Sequence, residues 1–545
     1  MARRIVLTLL LTVGVAAVSV PAASAELSGS RFHRIPAAFM DADGYHTCVI
    51  LPRGRVRCWG EATWGALGYG NLDNIGDTEL PNSVGPVSLG TGRKARAIAL
   101  GESHTCAILD NGRVRCWGSG FDGRLGYGNE NNIGDTELPK SVGPVNLGAG
   151  RRAVAITAGE DHTCAILDNG KVRCWGAGSG GGLGYGNEDD IGDNETPGDV
   201  GTVFLGTGRK ARAIGAGGGH TCALLDNGRV RCWGYASIGE LGYGNTDRIG
   251  DNELPGSVGP VSLGRKAVAI AVGENFNCAI LDNGKVRCWG EASSGQLGLG
   301  NQNHIGDNEV PSSVPAVSLG AGRRAIAVGT GYDSACAILN TNRVRCWGYG
   351  GSGNLGYGST NDIGDNELPT SVGTVNLGSG RTARAIAVGW EHSCALLDNG
   401  KLRCWGDALR GELGYGNTTR IGDNETPSAV GAVPVGDLIP RKAQPSVSLR
   451  VRPGRDFSYP FGLRATGKLT GFLVDSATCV GKVVVTATRG SQAVAKRVYA
   501  KRKDDRCTYS ARLTAGFGSW SVRAKFLGNG SLKSDRSPRR PFRAG

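Results

Sequence analysis

The stretch Gly101-Glu102-Ser103-His104-Thr105-Cys106-Ala107-Ile108-Leu109-Asp110-Asn111-Gly112-Arg113-Val114-Arg115-Cys116-Trp117-Gly118 decides the fold. Asp-Asn-Gly is turn chemistry, and Gly112 is free to take the positive φ that ends a three-residue loop built on a type I turn. In that register Leu109 pairs with Arg113, Ile108 with Val114, and Cys106 stands opposite Cys116. That cysteine pair is then non-hydrogen-bonded, with Cα atoms about 4.5 Å apart and within disulfide range. A two-residue Asn-Gly loop would set Cys106 against Trp117 and leave the sulfurs on opposite faces, so the three-residue register is preferred.

The same C-x9-C spacing recurs seven times, with first members at 48, 106, 164, 222, 278, 336 and 394. One supersecondary unit is therefore copied seven times, each copy bringing its own cross-link. The expected pairs are Cys48-Cys58, Cys106-Cys116, Cys164-Cys174, Cys222-Cys232, Cys278-Cys288, Cys336-Cys346 and Cys394-Cys404, with Cys479-Cys507 as an eighth near the end. Each hairpin bridge closes a short loop and contributes about 2 to 3 kcal/mol by the chain-entropy model; buried free thiols are the alternative.

After the hairpin come Leu125-Gly126-Tyr127-Gly128-Asn129, Ile133-Gly134-Asp135-Thr136-Glu137-Leu138-Pro139, and β-like runs Val142 to Leu147 and Ala153 to Ala158. This reads as about four short strands per copy, punctuated by some of the 91 glycines and without a sustained helical period. Seven such units around an axis make an all-β, seven-bladed β-propeller, which protects its edges by radial repetition. Ala37 to Ala42 supplies a leading strand that the last copy, ending at Val433-Pro434-Val435, does not pass on. Complementary ends favour a closed ring over an open solenoid.

The chain begins Met-Ala-Arg-Arg, runs apolar from Ile5 to Val20, and reaches Ala23-Ser24-Ala25. These features predict a secretory signal peptide over 1-25, cleaved after Ala25, followed by an N-terminal lead over 26-36. No later segment offers about 20 consecutive apolar residues, so a secreted or cell-surface location with no transmembrane segment is expected. An oxidising compartment suits paired cysteines.

Charge divides the remainder. Residues 26-440 hold 36 Lys and Arg against 43 Asp and Glu, whereas 441-545 hold 23 against 5. A propeller over 37-440 and a second, basic domain over 441-545 follow. Val447 to Val451, Leu469 to Val474, Lys482 to Ala487, Ala493 to Ala500, Thr508 to Leu513 and Trp520 to Phe526 read as strands of a small β-sandwich.

The motif Gly-x-x-His-Thr-x-Ala-Leu/Ile-x-x-x-Gly-x-Val-x-x-Trp-Gly, followed by Gly-x-Leu-Gly-x-Gly, resembles the regulator of chromosome condensation repeat. Trp59, Trp117, Trp175, Trp233, Trp289, Trp347 and Trp405 take its Trp-Gly position. The resemblance implies a seven-bladed propeller, and the family's activities include nucleotide exchange on a small nuclear GTPase, chromatin binding and, in a secreted bacterial member, β-lactamase inhibition. The leader and the cysteines set this chain apart from the nuclear members, and no exchange-factor residue carries over. The segment Ala524-Lys525-Phe526-Leu527-Gly528-Asn529-Gly530-Ser531-Leu532 resembles the last hairpin of bacterial immunoglobulin-like domains.

His46, His104, His162, His220 and His392 precede a cysteine by two residues. Phe276 and Ser334 hold that place in the other copies, so the histidines are read as structural and not as zinc ligands. Asn129, Asn131, Asp135 and Glu137 offer oxygens for calcium, but carboxylates beside Gly and Pro more often accept backbone N–H groups. Neither a Gly-x-Ser-x-Gly elbow nor a phosphate loop is present, and no catalytic residue, metal or cofactor is assigned.

The copies disagree with one another just before the His-Thr-Cys strand and just after Trp-Gly. Both windows flank the open end of the hairpin and fall on one face. That face collects Tyr45, Trp64, Phe121, Tyr235, Ile238, Phe276, Tyr332, Tyr349, Trp390 and Leu409, among Glu102, Asp122, Glu160, Asp161, Glu291, Glu391, Asp407 and Arg410. Aromatic anchors in polar surroundings suit an extracellular or cell-surface protein partner. Envelope polysaccharide is the competing ligand, with a carbohydrate-active enzyme behind it. The basic domain suits an anionic envelope polymer, and nucleic acid suits an exported protein poorly.

Overall fold

The computed structural model describes residues 39–436 and 438 of the repeat region, then 446–447, 450–453, 461–470, 482–489, 491–499, 501–503, 506–515, 518–527, 535–536 and 540–544. The expected leader over 1-25, the lead over 26-36 and Cys479 lie outside the described residues.

The repeat region is a β-propeller of seven three-stranded antiparallel sheets. The first contains β1 (Met40–Asp43), β2 (His46–Leu51) and β3 (Arg55–Gly60), and the second β4 (Ala95–Leu100), β5 (His104–Leu109) and β6 (Val114–Gly118). Inner strands Ala153–Ala158, Ala211–Ala216, Ala267–Val272, Ala325–Thr330 and Ala383–Val388 begin the other five.

The hairpin has the three-residue register. The Leu109 N–H donates to Arg113 O at 2.8 Å, the Gly112 N–H to Leu109 O at 2.8 Å, and Gly112 has φ 78°. Cys106 therefore faces Cys116, and bridges join the two cysteines of each copy with Cα atoms 4.0 to 4.1 Å apart. The tryptophan after each second cysteine is completely buried.

The expected outer strand, Val142 to Leu147, does not form. Pro139–Ser141 makes a short 3₁₀ turn, and beyond it the Val145 N–H alone bonds back, to Val114 O at 2.9 Å. Pro144 has no N–H to give. Arg115 takes the place of the missing ladder, donating from Nη2 to Val142 O and from Nη1 to Leu89 O of the preceding copy, both at 2.8 Å.

Hydrogen bonds between adjacent blades are repeated across the seam between the last blade and the first. His46 Nε2 bonds Thr105 Oγ1 at 2.9 Å; that hydroxyl donates to Ala66 O at 3.0 Å, so the ring nitrogen is the donor. Ala66 O also accepts Trp117 Nε1 at 2.9 Å. At the seam His392 bonds Thr47 at 2.7 Å, and Glu412 O accepts both Thr47 and Trp59 Nε1. The Gly416 N–H reaches Gly76 O just as the Gly70 N–H reaches Gly134 O, and Arg57 bonds Val435 O. The ring is closed.

The C-terminal residues form two antiparallel sheets. In one, Phe461–Thr470 pairs with Ser446–Val447, Arg450–Pro453 and Arg506–Ala515, and the last also pairs with Lys501–Lys503. In the other, Lys482–Arg489 pairs with Gln492–Tyr499 and Gly518–Phe526, and the latter with Asp535–Arg536 and Arg540–Ala544. Alternate residues Val483, Val485, Ala487, Val522, Ala524 and Phe526 are buried. Of the strand expected over Leu469 to Val474, Leu469 and Thr470 lie in Phe461–Thr470, and the remainder falls outside the described residues.

Candidate functional site

The open ends of the hairpins carry the irregular loops. Trp64 occupies the turn Thr63–Gly65 and Phe121 the turn Phe121–Gly123, 52% and 62% exposed; Leu409 is 59% and Tyr332 38% exposed. Tyr45, Tyr235, Ile238, Tyr349 and Trp390 are half-buried. Phe276 corrects the sequence expectation: it lies within Phe276–Leu281 with no exposed surface, because it takes the place that histidine fills in five other copies. The residue corresponding to its threonine partner is Ala335, so an apolar pair replaces a hydrogen-bonded one.

Three candidates meet. Tyr45 and Tyr332 each pack edge-on against Trp390 with centroids 5.1 Å apart, and the Arg410 guanidinium lies 3.6 Å from the Tyr45 ring centre. Arg410 also pairs with Glu61 at 3.2 Å. Tyr235 stands with Arg248, 4.6 Å from its ring centre. Trp64 and Asp122 have φ 59° and 54°, a conformation that Gly180 takes in the next copy. A bulky non-glycine residue in the left-handed region costs about 1 to 2 kcal/mol, which the exposed Trp64 ring does not recover by burial.

Inside this aromatic border, carboxyl groups from separate blades converge. Burial raises Asp41 to about 7, against bonds from the Leu100 and Ala42 amides that lower it. Burial also raises Asp43 well above the carboxylate range, followed by repulsion from Asp41, Glu102 and Glu160. Glu274 is held protonated first by burial and then by a carboxyl–carboxyl hydrogen bond with Glu160. Burial, then Glu291, lifts Asp333 to about 6. Asp41, Asp43, Glu274 and Asp333 were not singled out in the sequence, since Asp41 and Asp43 meet Glu274 only through the packing of blades far apart in the chain. Among the described residues no group of three or more His, Cys, Asp or Glu side chains is placed to hold a metal ion.

The Ile-Gly-Asp-x-Glu loops serve their own backbone. Asp135 accepts the Thr136 N–H at 2.7 Å, Glu79 accepts the Gly76 N–H, and Gly134 O accepts from the neighbouring blade. The five histidines are buried in the blade-to-blade bonds; burial lowers His46 and His162 to about 3 and His392 to about 4.

A family model described as the RCC1-like domain matches residues 16–379, and one for the regulator of chromosome condensation (RCC1) repeat matches 383–412. The ultraviolet-B receptor UVR8 of Arabidopsis thaliana is 31% identical over 326 residues, covering 60% of this chain and 68% of the receptor. The human E3 ubiquitin-protein ligase HERC2 is 29% identical over 64% of this chain, which spans only 7% of the ligase. Yeast RCC1 (Prp20), solved bound to Kap60, superposes with TM-score 0.56 at 18% identity over 78% of this chain and 92% of that one; human WBSCR16 gives 0.54 at 20% over 69% and 95%. Together with the seven closed blades, these matches show that the chain belongs to the RCC1-repeat family of β-propellers.

Proposed function

We propose that this chain is an exported, non-enzymatic recognition protein whose loop face binds a protein partner outside the cell or at its surface. The observation that carries the reading is the cluster of Tyr45, Tyr332 and Trp390 with Arg410 seated on it, at the open ends of the hairpins. Tyrosine, tryptophan and arginine dominate interface hot spots, and rigid aromatic rings lose little entropy on binding. Strained Trp64, kept exposed beside the cluster's loops, supports the same use. Seven bridged hairpins suit an oxidising compartment, in line with the leader-like opening. The basic residues 441–545 would hold the protein at an anionic envelope polymer.

The test is capture of extracellular and surface proteins by the full chain beside a variant carrying Tyr45→Ala, Tyr332→Ala and Trp390→Ala. A protein held by the first and released by the second supports the reading. Identical capture by both contradicts it, and release of soluble sugar products would point instead to the carboxyl groups around Glu160 and Glu274.

A further inference from the structure

The opposite face, where the Asp-Asn-Gly turns sit, has a charge of its own. Strands of six residues separate it from the loop face by about 20 Å. Each copy from the second onward brings an arginine to the residues before its inner strand, as Arg93-Lys94 and Arg151-Arg152 show, and another cation after the turn, as Arg113 and Lys171 show. Packing confirms the placement: a side chain at Gly112 would strike Arg152, and one at Gly170 would strike Lys210. A register shift in the inner strand, between Ala95 and Ala97 in one copy, turns Arg96 out at the same end.

The carboxylates here are already engaged. The first arginine of the pair bonds the turn aspartate in five copies, as with Arg151–Asp168 at 3.0 Å and Arg265–Asp282 at 2.6 Å. The second basic residue of the pair, and Arg113, Lys171, Arg229, Lys285 and Arg343 after the turns, have no ion-pair partner among the described residues. The sixth copy breaks the rule, because Asn340 stands where the other copies from the second onward have aspartate, and Arg323 is left without its carboxylate. Arg323 and Lys285 line an open groove of about 480 Å³, together with Ser318 and Thr370.

We propose that this face binds a linear polyanion, with the groove at Lys285 and Arg323 as its anchor. Cations recurring once or more per blade complement a chain that repeats its own charge, and most are arginines, whose planar fork matches phosphate and carboxylate alike. An acidic protein fits less well, since the exposed apolar side chains of this face are the aliphatic Val154, Val268 and Ile326 and not the aromatic anchors of the loop face. The surface lies at the opposite ends of the strands from the loop face.

The full chain is titrated with labelled inorganic polyphosphate and, separately, with polygalacturonate across a series of salt concentrations. A variant with Lys285→Gln, Arg323→Gln and Arg324→Gln and a second with Asn340→Asp are run beside it. Binding of at least one polymer is expected, with the preferred one identifying phosphate or carboxylate chemistry. The triple variant lowers affinity about tenfold or more and reduces the salt slope by roughly 2 to 3. Asn340→Asp, which returns the missing carboxylate without removing a cation, weakens binding in the same direction. Absence of binding to both polymers overturns the proposal, as does parental affinity in the triple and Asn340→Asp variants.

Discussion

Replacing Thr105 by Val keeps the side chain's shape and removes the acceptor of the His46 ring N–H. A buried donor without a partner costs about 1 to 3 kcal/mol, and urea unfolding of Thr105→Val is expected to show that loss. Trp64→Gly acts in the other direction: it removes an exposed ring from a left-handed backbone and raises stability by about 1 kcal/mol, while partner capture falls. A stable Trp64→Gly protein with undiminished capture would show that Trp64 is strained for some other reason. At this scale the sequence was a partial guide. The histidines were recognisable as structural because Phe276 and Ser334 replace two of them, yet the same fact should have removed Phe276 from the candidate face. Its partner position, Ala335, lies 59 residues on, and only the packing of adjacent blades connects the two.

The hairpin is the element that the sequence specifies most fully. A three-residue turn, a glycine at its third place and two cysteines equidistant from it leave one register that joins the sulfurs. Loss of one bridge, by Cys106→Ala with Cys116→Ala, is expected to cost about 2 to 3 kcal/mol in denaturant unfolding under non-reducing conditions. An unchanged midpoint would mean that the blade holds its hairpin without the bond. The outer strand was not legible, since Val142 to Leu147 has β-like composition and the guanidinium that occupies its carbonyl belongs to Arg115, a residue of the hairpin itself. In the first, second and seventh blades the same arginine also reaches a carbonyl of the copy before it.

Ring closure creates what no single copy contains. Asp41, Asp43 and Glu274 come from two copies and interact with Glu102 and Glu160 of two others, so their linkage to pH belongs to the whole molecule. A carboxyl group raised in the folded state binds its proton more tightly there than in the unfolded chain, so its contribution is present at low pH and is lost as pH rises through the folded value. For Asp41 that window runs from its ordinary 3.8 to about 7. The buried histidines work oppositely: His46 and His392, lowered to about 3 and about 4, withdraw stability as pH falls below 6.5. Above 6.5 the carboxyl groups alone remain to titrate, and stability declines toward pH 8. Asp41→Asn, measured by thermal unfolding at pH 6.5 and pH 8, is expected to shrink that decline by about 1 kcal/mol. An undiminished decline would place its origin elsewhere.

The two faces of the ring separate the functions proposed for it, so the location of a bound protein decides between them. Hydrogen exchange of the full chain, with and without a protein that it captures, reads this directly. Protection is expected in the loops carrying Tyr45, Trp64, Phe121, Tyr332 and Trp390, with the turn amides at 110–112 unchanged. Protection confined to the turns, or to residues 441–545, would contradict recognition through the loop face.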